Sequence, residues 1–369
     1  MRYIISLLLA STALPALAEV PRVVTDMPPV HSITAQVMGD LGQPELLLDR
    51  GANAHSYQLR PSQAASLANA NLILWIGPEM TPWMARALDG LSPEVPRLAL
   101  LAADGTFRRS YGDTSAHDHD EHEGHGHADA AKADVHDHDG HAGHGHDDHD
   151  QDHADAAKAD AHDHDGHASH SHDDHDHADE AKADAHDHDG HEDHSHSGVD
   201  PHAWLDPANA RVWAGLIAAE LSRLDPDNAA TYSANAAAAQ ARIDALDAEL
   251  AALLAPAKDK PFVVYHDAYG YFASHYGLTV AGSVSLGDAS SPGAARLRDL
   301  SATVAAGDAL CLFPEAQHDP ALVTQMADGT SARIGAALDP SGSSIEPGPD
   351  AYDALMRALA TNIVACLNG

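Results

Sequence analysis

The apolar positions fall into short runs that alternate with segments of helical periodicity. In the first half of the chain these runs are RVV (22–24), ELLL (45–48), LILWI (72–76) and RLAL (97–100). In the second half they are FVVY (262–265), LTVAGSV (278–284), ALCLF (309–313) and SARIGAA (331–337). Short runs of this kind predict buried strands, and their alternation with helices favours parallel sheets. We therefore predict an α/β protein of two lobes, each with a mainly parallel sheet flanked by helices.

Several helix boundaries carry their own signals. An acidic or hydroxyl residue followed by proline predicts a helix start, because the side chain caps the first turn and proline needs no N–H partner there. Such pairs occur at Asp206-Pro207, Asp225-Pro226, Ser291-Pro292 and Asp319-Pro320. Gly307 and Gly329 stand where C-terminal caps belong.

One long segment, 226–256, lacks strand signals. Ile243, Leu246, Leu250 and Leu253 fall on a single helical stripe. A helix of this length would extend about 40 Å and would restrain hinge motion between the lobes it joins. The predicted organisation is an N-terminal lobe from 19–112 and 200–225, the linking helix 226–256, and a C-terminal lobe from 257–369.

Residues 113–199 form a separate class of sequence. This segment has 27 acidic residues against 3 lysines, holds 24 of the 30 histidines of the chain, and contains three tandem copies of a His/Asp-rich repeat. Each copy lacks the apolar residues that would bury a face, so we predict a disordered insertion on a surface loop. The formal charge of −36 argues against nucleic acid and for cations as partners.

The first 18 residues predict a secretory signal peptide. Arg2 supplies the positive start, an apolar run follows, and Ala16-Leu17-Ala18 is a small-x-small cleavage site. The mature protein should therefore begin at Glu19, outside the cytoplasm.

Two cysteines, Cys311 and Cys366, would in an oxidising compartment form one disulfide, with two buried free thiols as the alternative.

Six histidines lie outside the insertion, and three of them occupy positions typical of a site. His55 is in the loop after ELLL, His266 ends FVVY, and His202 precedes a capped helix. Ligands of open α/β sheets bind beyond the carboxyl ends of the strands, so these three imidazoles could converge in an interlobe cleft and hold Zn²⁺. The other three, His31, His275 and His318, we interpret as structural or surface residues.

Four ordered motifs resemble the family of ZnuA-type periplasmic zinc-binding proteins. They are GANAHSYQLRPSQAASLANANLILWIGPEM, DPHAWLDPANA, VVYHDAYGYFASHYGL and GTSARIGAALDPSG. The resemblance spans nearly the whole mature chain. It implies two α/β lobes joined by a long helix, zinc in the cleft held by His55, His202 and His266, and delivery to the permease of an ABC importer. The cysteine pair is similar to a disulfide found in some members.

The candidate ligands indicate which metal the site would prefer, zinc or manganese. Manganese-binding members of this superfamily tend to carry a carboxylate at the third ligand position, whereas VVYHDAY has the imidazole of His266, which favours Zn²⁺. Some zinc members place glutamate immediately before the first ligand histidine, but Ala54 stands there. Water or Asp339 should complete the tetrahedron, and Glu79 and Glu315 are candidate acceptors for histidine N–H groups.

Three functions compete at this point. The favoured one is a non-enzymatic transport protein that acts as a monomer, uses the insertion as a zinc antenna, buffer or sensor, and meets a permease and a periplasmic zinc chaperone. A zinc enzyme is the second, although no HExxH motif or nucleophile elbow occurs in the chain. The third is a periplasmic zinc store dominated by the insertion.

Overall fold

Two four-stranded parallel sheets form the framework. The computed structural model describes residues 19–111, 198–287 and 292–369. In the first sheet the strands lie in the order β2-β1-β3-β4, and in the second in the order β6-β5-β7-β8. Their bounds are β1 Val23–Thr25, β2 Glu45–Leu46, β3 Leu72–Trp75 and β4 Arg97–Ala99, then β5 Phe262–His266, β6 Val280–Ser285, β7 Cys311–Leu312 and β8 Arg333–Ile334. Each of the eight predicted runs overlaps one strand, and the predicted parallel pairing is confirmed.

Helices cover both sheets. Those associated with the first sheet are α1 Pro28–Met38, α2 Pro61–Ala68, α3 Pro82–Asp89 and α4 Pro207–Leu224. Those of the second half are α6 Gly270–Tyr276, α7 Ala294–Ala306, α8 Ala321–Ala327 and α9 Ala351–Asn368. Asp206 caps α4 as predicted, since its side chain accepts a hydrogen bond from the Ala208 N–H at 2.9 Å. Helix α7 begins later than Pro292, with Gly293 at its N-cap.

The predicted linking helix is α5, Ala229–Leu254, with 3₁₀ turns before and after it. Ile243, Leu246 and Leu250 are buried as expected. Leu253 is only partly buried, and the last buried residue of the stripe is Leu254. The helix packs against α1, α4 and α9, so it contacts elements of both halves. One apolar cluster extends through both halves and includes Trp213, Tyr232 and Tyr352 among its fully buried side chains.

A disulfide between Cys311 of β7 and Cys366 of α9 joins the last helix to the second sheet, with the Cα atoms 6.3 Å apart. The prediction of a disulfide is confirmed, and the alternative of two free thiols is wrong. Because the bridge closes 55 residues of chain, it removes conformational freedom from the unfolded state.

Three predictions fall outside the described residues. These are the signal peptide 1–18, nearly all of the insertion 113–199, and the cap Ser291. Over the described ranges, none of the helices combines the length and the apolar character that crossing a bilayer requires.

Candidate metal centre

The three predicted histidines occupy the ends of secondary-structure elements. His55 lies in the loop between β2 and α2, and His266 is the last residue of β5. His202 precedes a 3₁₀ turn, Ala203–Leu205, that leads into α4. His202 and His266 are almost completely buried, with 2% and 1% of their surface exposed, whereas His55 is half-buried.

The structure brings these three side chains together. One ring nitrogen from each histidine lies within 4.8 Å of the corresponding atoms of the other two. The Nε2 atoms of His202 and His266 are 3.4 Å apart, and the ring centres of His55 and His202 are 5.7 Å apart. No other group of three or more potential ligands with this spacing occurs among the described residues. Three imidazole nitrogens at this spacing can converge on one tetrahedral cation.

Asp200 fixes the orientation of His202. Its Oδ1 atom lies 2.7 Å from His202 Nδ1 and also accepts the backbone N–H of His202 at 3.0 Å. The carboxylate is buried, so the imidazole donates its Nδ1 proton to it and leaves Nε2 available for a cation. Sequence analysis missed Asp200, although an aspartate two residues before a histidine in a turn can reach back to both of these nitrogens.

Glu315 fixes the orientation of His266 in the same way. Its Oε2 atom lies 2.5 Å from His266 Nδ1, and both side chains are buried. Glu315 comes shortly after β7, the strand that pairs with β5, so the parallel register carries the carboxylate to the end of β5. The prediction that Glu315 accepts a histidine N–H therefore agrees with the structure, whereas Glu79 is exposed.

The loop of His55 is held by contacts to its backbone. The Oδ1 atom of Asn53 accepts the His55 N–H at 2.9 Å, and the indole of Trp83 donates to the Ala54 carbonyl at 2.6 Å. At Ala54, where some zinc-binding members carry glutamate, the side chain is buried. Both contacts fix the main chain of the loop that carries His55.

The surroundings of the histidines are acidic. Besides Asp200 and Glu315, Asp267 follows His266 directly. Burial and the neighbouring Asp200 carboxylate raise the pKa of Asp267, while the charges of His202 and His266 oppose that change. Carboxylates on several sides of three imidazoles create a potential that attracts a cation.

Asp339 was one of the two alternatives for the fourth ligand, and its carboxylate is hydrogen-bonded within its own loop. It is not a member of the histidine group. Its Oδ2 atom accepts the N–H of Ser344 at 2.8 Å and the hydroxyl of Ser344 at 2.5 Å, and its Oδ1 atom accepts the N–H of Ser343 at 3.2 Å. The carboxylate therefore caps its own loop.

The remaining histidines have structural contacts, in agreement with the sequence interpretation. His31 Nε2 lies 3.1 Å from the Pro44 carbonyl oxygen. His275 lies between two carboxylates, and the ring of His318 stacks on Tyr265 with centroids 4.2 Å apart.

A family model and two sequence relatives of this chain all describe zinc-uptake proteins. A family model described as "Zinc-uptake complex component A periplasmic" matches residues 23–366. The high-affinity zinc uptake system protein ZnuA of Paracoccus denitrificans is 48% identical over 359 residues, which cover 97% of this chain and 95% of the relative. The protein of the same name from Brucella suis is 36% identical over 349 residues, covering 94% and 91% of the two chains.

A solved structure agrees with this architecture. The periplasmic zinc binding protein TroA from Treponema pallidum superposes with a TM-score of 0.64, covers 94% of this chain and 99% of its own, and is 18% identical. At that identity the likeness concerns the fold, and it confirms the two-lobe arrangement of parallel sheets and helices.

Proposed function

Because this chain belongs to the family of ZnuA periplasmic zinc-uptake components, we propose that it captures Zn²⁺ with His55, His202 and His266 and presents it to an ABC importer. The observation that carries the proposal is the approach of three imidazole nitrogens to within 4.8 Å of one another. Members of this family are metal-binding receptors, so the chain is not an enzyme, and zinc is its cargo.

The donor set supports zinc over manganese. All three candidate ligands are imidazoles, and the two carboxylates that contact them, Asp200 and Glu315, are hydrogen-bonded to histidine Nδ1 atoms. Imidazole nitrogen suits Zn²⁺, whereas Mn²⁺ prefers carboxylate and water oxygen. Orienting carboxylates of this kind also raise the basicity of the ligating nitrogen.

We assign the fourth coordination position to water. Asp339 is engaged by Ser343 and Ser344, so recruiting it would break the hydrogen bonds that shape its loop. A water ligand also leaves one position open for exchange, which suits a protein that must release its cargo.

Delivery and location complete the proposal. The family is periplasmic, and we propose that cleavage after Ala18 produces the mature chain. The partner that receives zinc is the inner-membrane permease of a zinc importer, and a periplasmic zinc chaperone is a candidate donor.

The mature protein acts as a monomer. Light scattering of the purified mature chain tests the monomer, and a dimer would refute it.

The His/Asp-rich segment 113–199 is proposed to act as an accessory zinc antenna, buffer or sensor. Its support is compositional, since adjacent histidine and aspartate side chains supply ligands in every repeat. The domain boundaries proposed from the sequence place this segment between the two parts of the N-terminal lobe.

Titration of the metal-free mature protein with zinc, against a competing chelator, tests the proposal. Three proteins are compared: the intact chain, a variant with 112–197 replaced by a short linker, and the shortened variant carrying His266→Ala. The linker must preserve the pairing of Ser110 with Val199 and of Tyr111 with Gly198, because these contacts close the base of the segment. His31→Gln in the shortened protein is the control, since His31 is buried and lies outside the site.

We expect one tightly bound zinc ion in the shortened protein and in its His31→Gln variant, and loss of that ion in His266→Ala. Weaker ions seen only with the intact chain would belong to the segment. If the shortened protein, shown by circular dichroism to be folded, bound no zinc tightly, the assignment to the three histidines would be wrong. The histidine segment would then be the store.

A further inference from the structure

The loop that carries His55 also reaches across to the second half of the chain. The Gly51 N–H donates to the Ser343 carbonyl at 2.9 Å. Arg50 Nη2 donates to the Ser344 carbonyl at 2.9 Å, and Arg50 Nη1 lies 2.7 Å from Glu346 Oε2. We call these five residues the interlobe clasp. Two of its three bonds end on backbone carbonyls, so they depend on the shape of the accepting loop.

Asp339 and Gln317 determine that shape. Asp339 accepts hydrogen bonds from the N–H groups of Ser343 and Ser344 and from the Ser341 hydroxyl at 3.1 Å. The Gln317 amide donates to the Ser341 hydroxyl at 3.0 Å and to the Ser343 hydroxyl. The loop is therefore folded around one carboxylate, which aims two carbonyls at Arg50 and Gly51.

The clasp acts on the least buried of the three histidines. His202 and His266 are almost completely buried and each is hydrogen-bonded to a buried carboxylate, whereas His55 is half-buried and its backbone N–H donates to Asn53. Gly51 adopts φ 74°, a left-handed conformation that suits glycine, and its N–H is one of the clasp donors. A loop that comes free at Gly51 would carry His55 with it, because only three residues separate them.

We infer that the clasp holds His55 on the bound metal and so limits the rate at which the metal leaves. Arg50 and Asp339 are positioning residues in this account and are not ligands. The inference rests on the proposed function, because it assumes that His55 is a zinc ligand. It adds a kinetic role for contacts that lie outside the coordination sphere.

The test is the zinc dissociation rate of the intact mature protein, measured by rapid mixing with excess chromogenic chelator. The phase that disappears in His266→Ala is assigned to the site. Arg50→Ala removes one charge-assisted hydrogen bond and one exposed ion pair, so we expect dissociation to accelerate about fivefold to twentyfold. The association rate should change less than about twofold, because affinity changes within one interface fall mostly on dissociation. Arg50→Lys keeps the charge and should restore part of the effect.

Arg60→Ala is the matched control. The two arginine side chains are similarly exposed, 66% for Arg60 and 60% for Arg50. Arg60 also forms an ion pair, with Asp49 at 2.6 Å, but both residues of that pair belong to the first half of the chain. We expect Arg60→Ala to leave zinc dissociation within about twofold of the wild type. Equal acceleration by the two substitutions would overturn the inference, since any loosening of the loop would then suffice.

Asp339→Asn separates positioning from ligation. The asparagine amide would face the Ser344 N–H and hydroxyl with donors of its own, so the accepting loop should distort and zinc dissociation should accelerate. The visible spectrum of the Co²⁺-substituted protein should remain that of the wild type, because the coordinating atoms are unchanged. A changed cobalt spectrum would identify Asp339 as a ligand and refute this part of the inference.

The outcomes distinguish the clasp from the proposed function. If wild-type protein binds one tight zinc ion but Arg50→Ala releases it at the wild-type rate, the clasp inference fails and the proposed function stands. If the His266→Ala variant shows the same dissociation phases as the wild type, the proposed function itself fails.

Discussion

Replacing His275 by glutamine tests a charged contact that joins α6 to two helices of the core. His275 Nδ1 lies 3.0 Å from Oδ1 of Asp206, the residue that caps α4. Its Nε2 lies 2.9 Å from Oδ1 of Asp247, on α5. The imidazole is only 9% exposed and Asp206 is fully buried, so solvent screens this interaction weakly.

The pKa of His275 sets the size and the pH range of the effect. Burial alone would lower the pKa, but Asp206 and Asp247 together raise it from 6.5 to about 9. A histidine whose pKa is higher in the folded state stabilises the protein fully below pH 6.5 and loses that contribution as the pH rises through 9. At about 1.4 kcal/mol per pKa unit, the loss amounts to about 3 kcal/mol.

The assay is urea unfolding of metal-free protein, with the disulfide intact, at pH values from about 6 to about 10. Subtracting the His275→Gln curve from the wild-type curve removes the contribution of the other histidines. The difference in unfolding free energy should be largest at the acidic end and should shrink by about 3 kcal/mol toward the alkaline end. His31→Gln is the control, because burial lowers the pKa of His31, so the effect of this substitution on the unfolding free energy should not decline toward alkaline pH. A difference that does not vary with pH would refute the reasoning.

Three further predictions concern the site and the core. Glu315→Gln should weaken zinc binding about tenfold to a hundredfold in a chelator competition, because it removes the charged acceptor of His266; unchanged affinity would refute the orienting role. Burial raises the pKa of Asp26 from 3.8 to about 7, so this residue lowers the stability of the folded state as the pH rises from 3.8 to 7, and the full cost is present above pH 7. Asp26→Asn should therefore be up to about 4 kcal/mol more stable than the wild type at alkaline pH in denaturant unfolding. That advantage should vanish below the unfolded pKa of 3.8, and an advantage that persists there would contradict the assignment. Replacing Cys311 and Cys366 by serine should lower the unfolding free energy by about 4 kcal/mol, as expected for a loop of this length, and an unchanged value in the same assay would contradict it.

Much of the fold could be predicted because the strands coincide with short, largely apolar runs that are separated by segments of helical periodicity. The pattern located all eight strands and the helix Ala229–Leu254, whose buried stripe follows from helical periodicity. The strand ends also pointed to His55 and His266, since carboxyl ends of parallel strands share one edge of the sheet. The carboxylates that surround the histidines were harder to predict from the sequence. Asp200 was missed, and Asp339 was considered as a ligand although its carboxylate caps a loop.

The sequence by itself determined the two α/β lobes, the long helix and the candidate histidines, because these depend on local periodicity and on chain order. Only the tertiary structure decided which carboxylates orient those histidines and which contacts cross between the halves. Glu315 meets His266 through the pairing of β5 with β7, and Arg50 meets Ser344 across 294 residues of chain. Such contacts follow from the packing of distant elements, and composition or spacing carries no record of them.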